Sequence, residues 1–166
     1  MDIFEFAMEK EKYAEQYYRQ LAEKVDHTGL KSILTMLADE EAKHFQTVQQ
    51  MKASTSPNIA ETPVLQNAKA IFEKIKKAAD TFSFDVSEVD LYRKACDIEA
   101  ESKKYYLAKA QEVDGADQKK LFLKLAEEEN KHLVLVQGLC DFVAKPETYL
   151  ENAEFSHFDD YVEGTF

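Results

Sequence analysis

The sequence has 166 residues, of which 45% are hydrophobic and 32% are charged, and its formal net charge at pH 7 is −11. This length suits one compact domain with a sizeable core. The acidic balance, without a dense run of lysine or arginine, excludes a nucleic-acid partner, because a phosphate backbone would be repelled. Four glycines and three prolines offer little turn chemistry for sheets, so the composition predicts an all-α fold.

The cysteines and the N-terminus indicate a cellular location. Cys96 and Cys140 are too few for a disulfide framework and too far apart for a Cys-x-x-Cys unit, so we interpret them as buried thiols in a reducing compartment. The N-terminus lacks a basic segment followed by an apolar stretch, and no later run approaches the length of a membrane span. We therefore expect a cytoplasmic protein with no membrane partner.

The 3.6-residue spacing of apolar residues predicts four long helices. The first spans about residues 3–25 and the second about 29–52, with Thr28 as its expected N-cap. The third begins near Ser87, whose Ser-x-x-Asp pattern with Asp90 resembles a capping box. The fourth spans about 117–144, and a shorter helix is expected at about 64–79.

Charged residues interrupt the apolar seam of each long helix. The first and third helices carry one glutamate each, and the second and fourth carry a Glu-x-x-His pair, so the interrupting residues are Glu11, Glu41, His44, Glu99, Glu129 and His132. The neighbouring acids fall off the seams, and we interpret them as solvated: Glu9, Asp39, Glu40, Glu101, Glu127 and Glu128.

The interrupting residues repeat at a fixed interval. The differences 99−11, 129−41 and 132−44 all equal 88, and "LADEEAKH" at 37–44 matches "LAEEENKH" at 125–132. This predicts a duplicated helical hairpin, with domain 1–145 built from hairpins 1–52 and 87–144 and a long crossover at 53–86. The aromatic-rich tail at 146–166 is expected to dock rather than remain in solvent.

Four carboxylates within an apolar seam require a positive partner. Burying one unpaired carboxylate costs several kcal/mol, against a net folding stability of roughly 5–15 kcal/mol. Two divalent cations supply +4, which balances the −4 of the four glutamates, and two imidazoles add a nitrogen each. One glutamate from each of two helices and a Glu-x-x-His from each of the others is the ligand pattern of dimetal carboxylate bundles.

Other interpretations of these residues are consistent with the sequence. A single Glu-x-x-His is common by chance on acidic helices, and a metal-free bundle could retain the pattern as a relic. Tyr18 and Tyr106 either fill the core or hydrogen-bond a ligand carboxylate. Oxygen ligands with two imidazoles suit iron, manganese or zinc.

The repeated segments resemble the rubrerythrin-like branch of the ferritin-like superfamily. The resemblance rests on "EKEKYAEQYYRQLAE" with "EEAKH", repeated as "DIEAESKKYYLAKA" with "EENKH", and covers most of residues 1–145. It implies a four-helix bundle, usually a homodimer, with two iron ions that act on hydrogen peroxide or dioxygen. The positions that match the family's metal ligands are Glu11, Glu41, His44, Glu99, Glu129 and His132.

Two departures from that family bear on function. The chain lacks the four-cysteine rubredoxin-like iron site, so electrons would come from an external donor protein. Ser102 occupies the position of an additional family glutamate, which puts redox-linked ligand switching in doubt.

Three functions follow as hypotheses. The first is a di-iron oxidoreductase that reduces hydrogen peroxide or dioxygen with electrons from that donor. The second is a ferroxidase or iron-handling protein that uses the same site. The third is a non-catalytic bundle that binds a metal or a partner protein, with the tail as its contact surface.

Overall fold

The computed structural model describes residues 2–161, which form six α-helices and a final 3₁₀ helix. The long helices are α1 (Ile3–Lys24), α2 (Thr28–Lys52), α4 (Val86–Glu112) and α5 (Ala116–Ala144). The shorter elements are α3 (Val64–Ala78), α6 (Pro146–Glu151) and the 3₁₀ helix Glu154–Tyr161. The predicted all-α bundle, with a helix in its long crossover and a C-terminal tail, is confirmed.

The long helices pack as two hairpins. α1 lies along α2 and α4 lies along α5, whereas the contacts between α1 and α4 and between α2 and α5 are fewer. The helix α3 crosses from α2 onto α5. None of the helices in the described part of the chain combines the length and the apolar character needed to span a bilayer.

A layer of polar side chains divides the core along the bundle axis. One apolar cluster includes Tyr18, Leu37 and Leu135, and the other includes Tyr106 and Val48. The six charged residues that interrupt the seams lie between these clusters, because each follows one cluster and precedes the other along its own helix. The seam spacing therefore places them at one level of the bundle.

Two helix starts differ from the predictions. Thr28 is the first residue of α2 rather than its N-cap, because the ring of His27 accepts a hydrogen bond from the amide of Gly29 at 3.1 Å. The capping box of α4 is formed by Asp85 and Glu88, two residues earlier in the sequence than the predicted pair. A serine and an aspartate both cap well, so the sequence pattern alone does not choose between the two registers.

The tail docks against the bundle. Tyr149, Phe155 and Phe158 are buried against α3 and α5, around the ring of Phe72. The aromatic residue Phe166, which also suggested docking, lies outside the described residues. The two cysteines are half-buried free thiols rather than fully buried ones.

Candidate metal centre

The four long helices bring six side chains to the polar layer. Glu11 comes from α1, Glu99 from α4, and the two Glu-x-x-His pairs come from α2 and α5. Each pair lies on one face because residues three apart on a helix are neighbours. All six side chains belong to residues that are at most 4% exposed: Glu11, Glu41, His44, Glu99, Glu129 and His132.

Each histidine contacts the glutamate of the other hairpin more closely than its own. His44 Nδ1 lies 2.8 Å from Glu129 Oε1, against 3.7 Å from Glu41 Oε2 on its own helix. His132 Nδ1 lies 3.0 Å from Glu41 Oε1, against 3.6 Å from Glu129 Oε2. One ligand atom from each of these four residues fits within 4.8 Å of the others, a grouping that could hold a metal ion.

The remaining two glutamates extend this grouping in opposite directions. Glu11 Oε1 lies 3.7 Å from His44 Nδ1, and Glu99 Oε1 lies 3.8 Å from His132 Nδ1. The two imidazole rings are nearly parallel, with centroids 5.2 Å apart. The six groups therefore form two halves that share Glu41 and Glu129.

Two buried tyrosines hold the outer glutamates. The hydroxyl of Tyr18 donates to Glu99 Oε1 at 2.6 Å, and the hydroxyl of Tyr106 donates to Glu11 Oε1 at 2.5 Å. Both bonds join α1 to α4. Ser102 is also buried on α4, but it lines a cavity between α1 and α4.

The carboxylate set is left short of hydrogen-bond donors. Among the described residues, Oε2 of Glu11, Glu99 and Glu129 is buried without a hydrogen-bond partner. A buried carboxylate oxygen without a donor or a cation is costly. Two divalent cations would satisfy these oxygens and balance the charge, so the residues present fit a dinuclear site.

Without a cation, burial and mutual repulsion oppose the ionisation of the clustered carboxyl groups. Burial and the charges of neighbouring glutamates raise the pKa of Glu41 and of Glu99 well above the usual carboxyl value. Burial opposes ionisation of Glu11 too, but its hydrogen bonds and the nearby His44 lower its pKa to about 2. Burial lowers the pKa of His132. The metal-free cluster thus keeps protons where a bound cation would replace them.

A sequence model of the rubrerythrin family matches residues 2–139. The chain belongs to the rubrerythrin family. No curated protein and no solved structure matches it. The family match and the buried cluster together indicate a dinuclear metal site in this rubrerythrin-family chain.

The expectation that all six neighbouring acids are solvated is wrong for Glu40 and Glu128. Glu40 is only 7% exposed and Glu128 only 1%. The crossover covers both, and the backbone amide of Thr62 donates to Glu128 Oε2 at 2.9 Å. A signal was present in the sequence, because 128−40 is also 88, and acids repeated in register with buried ligands invite the same explanation.

Proposed function

We propose that this chain is a di-iron oxidoreductase that reduces hydrogen peroxide or dioxygen with electrons from an external donor protein. The observation that carries the proposal is the buried set of four carboxylates and two imidazoles at one level of the bundle. Family membership supports iron as the metal.

The distances suggest how the residues would divide two ions. Glu11 and His44 would hold one ion, and Glu99 and His132 would hold the other. Glu41 and Glu129 each lie within 3.7 Å of both histidines, so they would help to hold both ions. Two bound iron ions would supply one electron each to the reaction H₂O₂ + 2 e⁻ + 2 H⁺ → 2 H₂O.

The protein would control this chemistry through the groups around the ligands. Tyr18 and Tyr106 donate to Oε1 of Glu99 and of Glu11, the same oxygens that lie nearest His132 and His44, so the two hydroxyls would hold both carboxylates in place beside the ions. The two apolar clusters exclude bulk water on either side of the polar layer. A low-dielectric surrounding of this kind strengthens every charge interaction within the site.

The test is the metal content of protein purified without air, followed by peroxide consumption with a supplied reductant. We expect about two iron ions per chain in the wild type, as in dimetal bundles of this ligand pattern. The content should fall in Glu41→Ala and Glu129→Ala but not in Glu127→Ala, an exposed neighbour. Wild-type protein that takes up no metal, even when Fe(II) is offered anaerobically, would refute the proposal.

A second candidate is a ferroxidase or iron-handling protein with the same ligands. It is favoured by Ser102, which stands where the resemblance places an additional glutamate. Steady-state turnover separates the two functions, because a peroxidase consumes peroxide repeatedly with a reductant, whereas an iron handler accumulates ferric iron.

A partner-binding role for the tail has less support. Tyr149, Phe155 and Phe158 are buried against the chain's own helices, which leaves them unavailable to a partner while the tail is docked. A homodimer stays a prediction, which light scattering of the purified protein would check.

A further inference from the structure

A cavity of about 270 Å³ reaches one end of the candidate centre. It lies between α2 and the crossover, and its α2 wall is polar, formed by Glu40, Lys43, His44, Gln46, Thr47 and Gln50. The crossover residues 58–61 form its opposite wall. His44 is the most exposed of the six candidate ligands, at 4%, and it lines this cavity directly.

Because the chain is duplicated, the α2 surface beside His44 has an equivalent on α5 beside His132, at the other end of the centre. The residues 88 positions after Gln46, Thr47 and Gln50 are Val134, Leu135 and Gly138. Leu135 is fully buried in the apolar cluster that includes α3, and His132 is 0% exposed.

At Gly138 the tail closes the surface. A Cβ atom there would lie 2.8 Å from the Phe158 ring and 2.9 Å from the Tyr149 hydroxyl, so the tail rings lie directly on the α5 backbone. α3 and the tail therefore cover the α5 surface beyond His132, and the cavity of about 180 Å³ beside Lys131 is not lined by His132. The equivalent surface beside His44 is polar and lines a cavity that includes His44 itself.

The α1–α4 side offers no comparable opening. The Tyr18–Glu99 and Tyr106–Glu11 hydrogen bonds join these two helices on either side of the centre. A cavity of about 190 Å³ does lie on this side, but among the candidate ligands and their hydrogen-bond partners none lines it. Ser102 stands at its inner wall.

Glu40 places a carboxylate on the α2 side of the polar cavity. Its carboxylate accepts no hydrogen bond within the described residues, and its ion-pair partner, Lys43 Nζ, is 3.8 Å away. The Glu40 side chain is 10% exposed and lines the cavity, so its carboxylate can meet a cation that enters there. The surrounding amide and hydroxyl oxygens are ligands that hard divalent cations accept.

We propose that this cavity is the entrance through which divalent cations reach the metal centre, and that Glu40 is the carboxylate that binds them on the way to His44. The proposal rests on the proposed function only in requiring that the centre binds metal. The cavity lies beside the crossover, so the 58–61 segment forms one wall of the entrance.

The test measures the rate of metal loading separately from the final metal content. Metal-free protein is mixed with Co(II), the rate is followed by the visible absorbance of the bound ion, and the endpoint is measured by elemental analysis. Glu40→Gln removes the carboxylate, and Ala60→Trp places an indole at the exposed crossover wall. Both variants should load about tenfold more slowly than the wild type, with an unchanged endpoint.

Two control variants match these changes outside the cavity. Asp39→Asn removes one negative charge from the adjacent position, where the side chain is 59% exposed and pairs with Arg19. Glu101→Trp places an indole at the cavity on the α1–α4 side. Both should load at the wild-type rate.

The outcomes separate failure of the entrance from failure of the centre. Wild-type rates in both cavity variants, with a full endpoint, would overturn the entrance alone. Slow loading in Glu101→Trp instead would move the entrance to the α1–α4 side. A lower endpoint in Glu40→Gln would make Glu40 a resident ligand and overturn its transit role. No uptake by the wild type would refute the proposed function and the entrance together.

Discussion

The hydroxyl of Tyr106 on α4 donates a hydrogen bond to Glu11 Oε1 on α1 at 2.5 Å. Its repeat equivalent, Tyr18, makes the same bond in the reverse direction, from α1 to Glu99 on α4. The pair therefore holds both outer glutamates and joins the two hairpins. This arrangement gives the tyrosine hydroxyls a measurable role in folding and in metal binding.

Replacement of Tyr106 by phenylalanine should lower both stability and metal affinity. The change leaves a buried Glu11 oxygen without its donor, which should cost the metal-free protein about 1–3 kcal/mol in the free energy of unfolding. Metal affinity should fall about 10- to 100-fold, as for other partners of ligand carboxylates. Urea unfolding and competition with a chelator would measure the two effects.

The matched control is Tyr92→Phe. The Tyr92 hydroxyl is buried and has no hydrogen-bond partner among the described residues, so its removal should be neutral or stabilising. Equal losses in the two variants would mean that the Tyr106 bond contributes nothing specific.

Metal binding should weaken as the pH falls. Burial and like charges raise the pKa of Glu41 and of Glu99, and the charges of Glu129 and Glu11 outweigh burial to raise the pKa of His44. These groups hold protons in the metal-free protein over a pH range in which they would be deprotonated in water. Metal binding requires carboxylates and neutral imidazoles, so protons must be released and acid must compete with the metal.

Calorimetry of metal binding in buffers with different ionisation enthalpies would count the released protons. The Glu41→Gln variant, which cannot carry the exchangeable carboxyl proton, should release fewer. Proton release that is zero in the wild type at neutral pH would contradict the raised pKa values.

Glu128 should stabilise the crossover rather than the metal centre. Its Oε2 accepts the backbone N–H of Thr62 at 2.9 Å, and Glu61 beside it pairs with Lys124 and Lys131. Glu128→Ala should leave that amide without its acceptor and destabilise the chain by about 1–3 kcal/mol. Hydrogen exchange at the Thr62 amide should accelerate, and proteolysis within residues 53–63 should become faster.

The neighbouring Glu127→Ala provides the comparison, because the Glu127 side chain is 54% exposed and pairs only loosely with Lys124, at 3.7 Å. Its effect should lie within about 0.5 kcal/mol of zero. Unchanged exchange at Thr62 in Glu128→Ala would show that the crossover is held by other contacts.

Gly138→Ala should destabilise the protein through the tail. In a helix interior, alanine is normally favoured over glycine by about 1 kcal/mol. Here the added Cβ would lie 2.8 Å from the Phe158 ring, so the ring must move and the sign of the effect reverses. Thermal or urea unfolding would measure the change.

A double-mutant cycle with Phe158→Ala isolates this contact. The loss caused by Gly138→Ala should shrink in the Phe158→Ala background, because the nearest ring atom is gone. An equal loss in both backgrounds would place the strain elsewhere than in the docked tail.

Much of the candidate site could be predicted from the sequence because a helix repeats every 3.6 residues. That period places Glu11, Glu99 and the two Glu-x-x-His pairs on the inward face of their helices without knowledge of the fold. The 88-residue interval then predicts that the two halves meet as equivalents. The helical composition and the need to neutralise four buried carboxylates then predict a dimetal bundle.

Only the tertiary structure decided which residues meet across the hairpins and which acids are covered. Spacing along α2 pairs His44 with Glu41, yet the closer contact of His44 is with Glu129, because side chains on facing helices point toward each other across the core, whereas Glu41 and His44 project from the same helix. Glu40 and Glu128 lie off the apolar seams of their own helices, and this position predicts that they are surface residues. They are buried because the crossover, distant from Glu128 in sequence, folds across that side of the bundle, and no local periodicity encodes a contact of that kind.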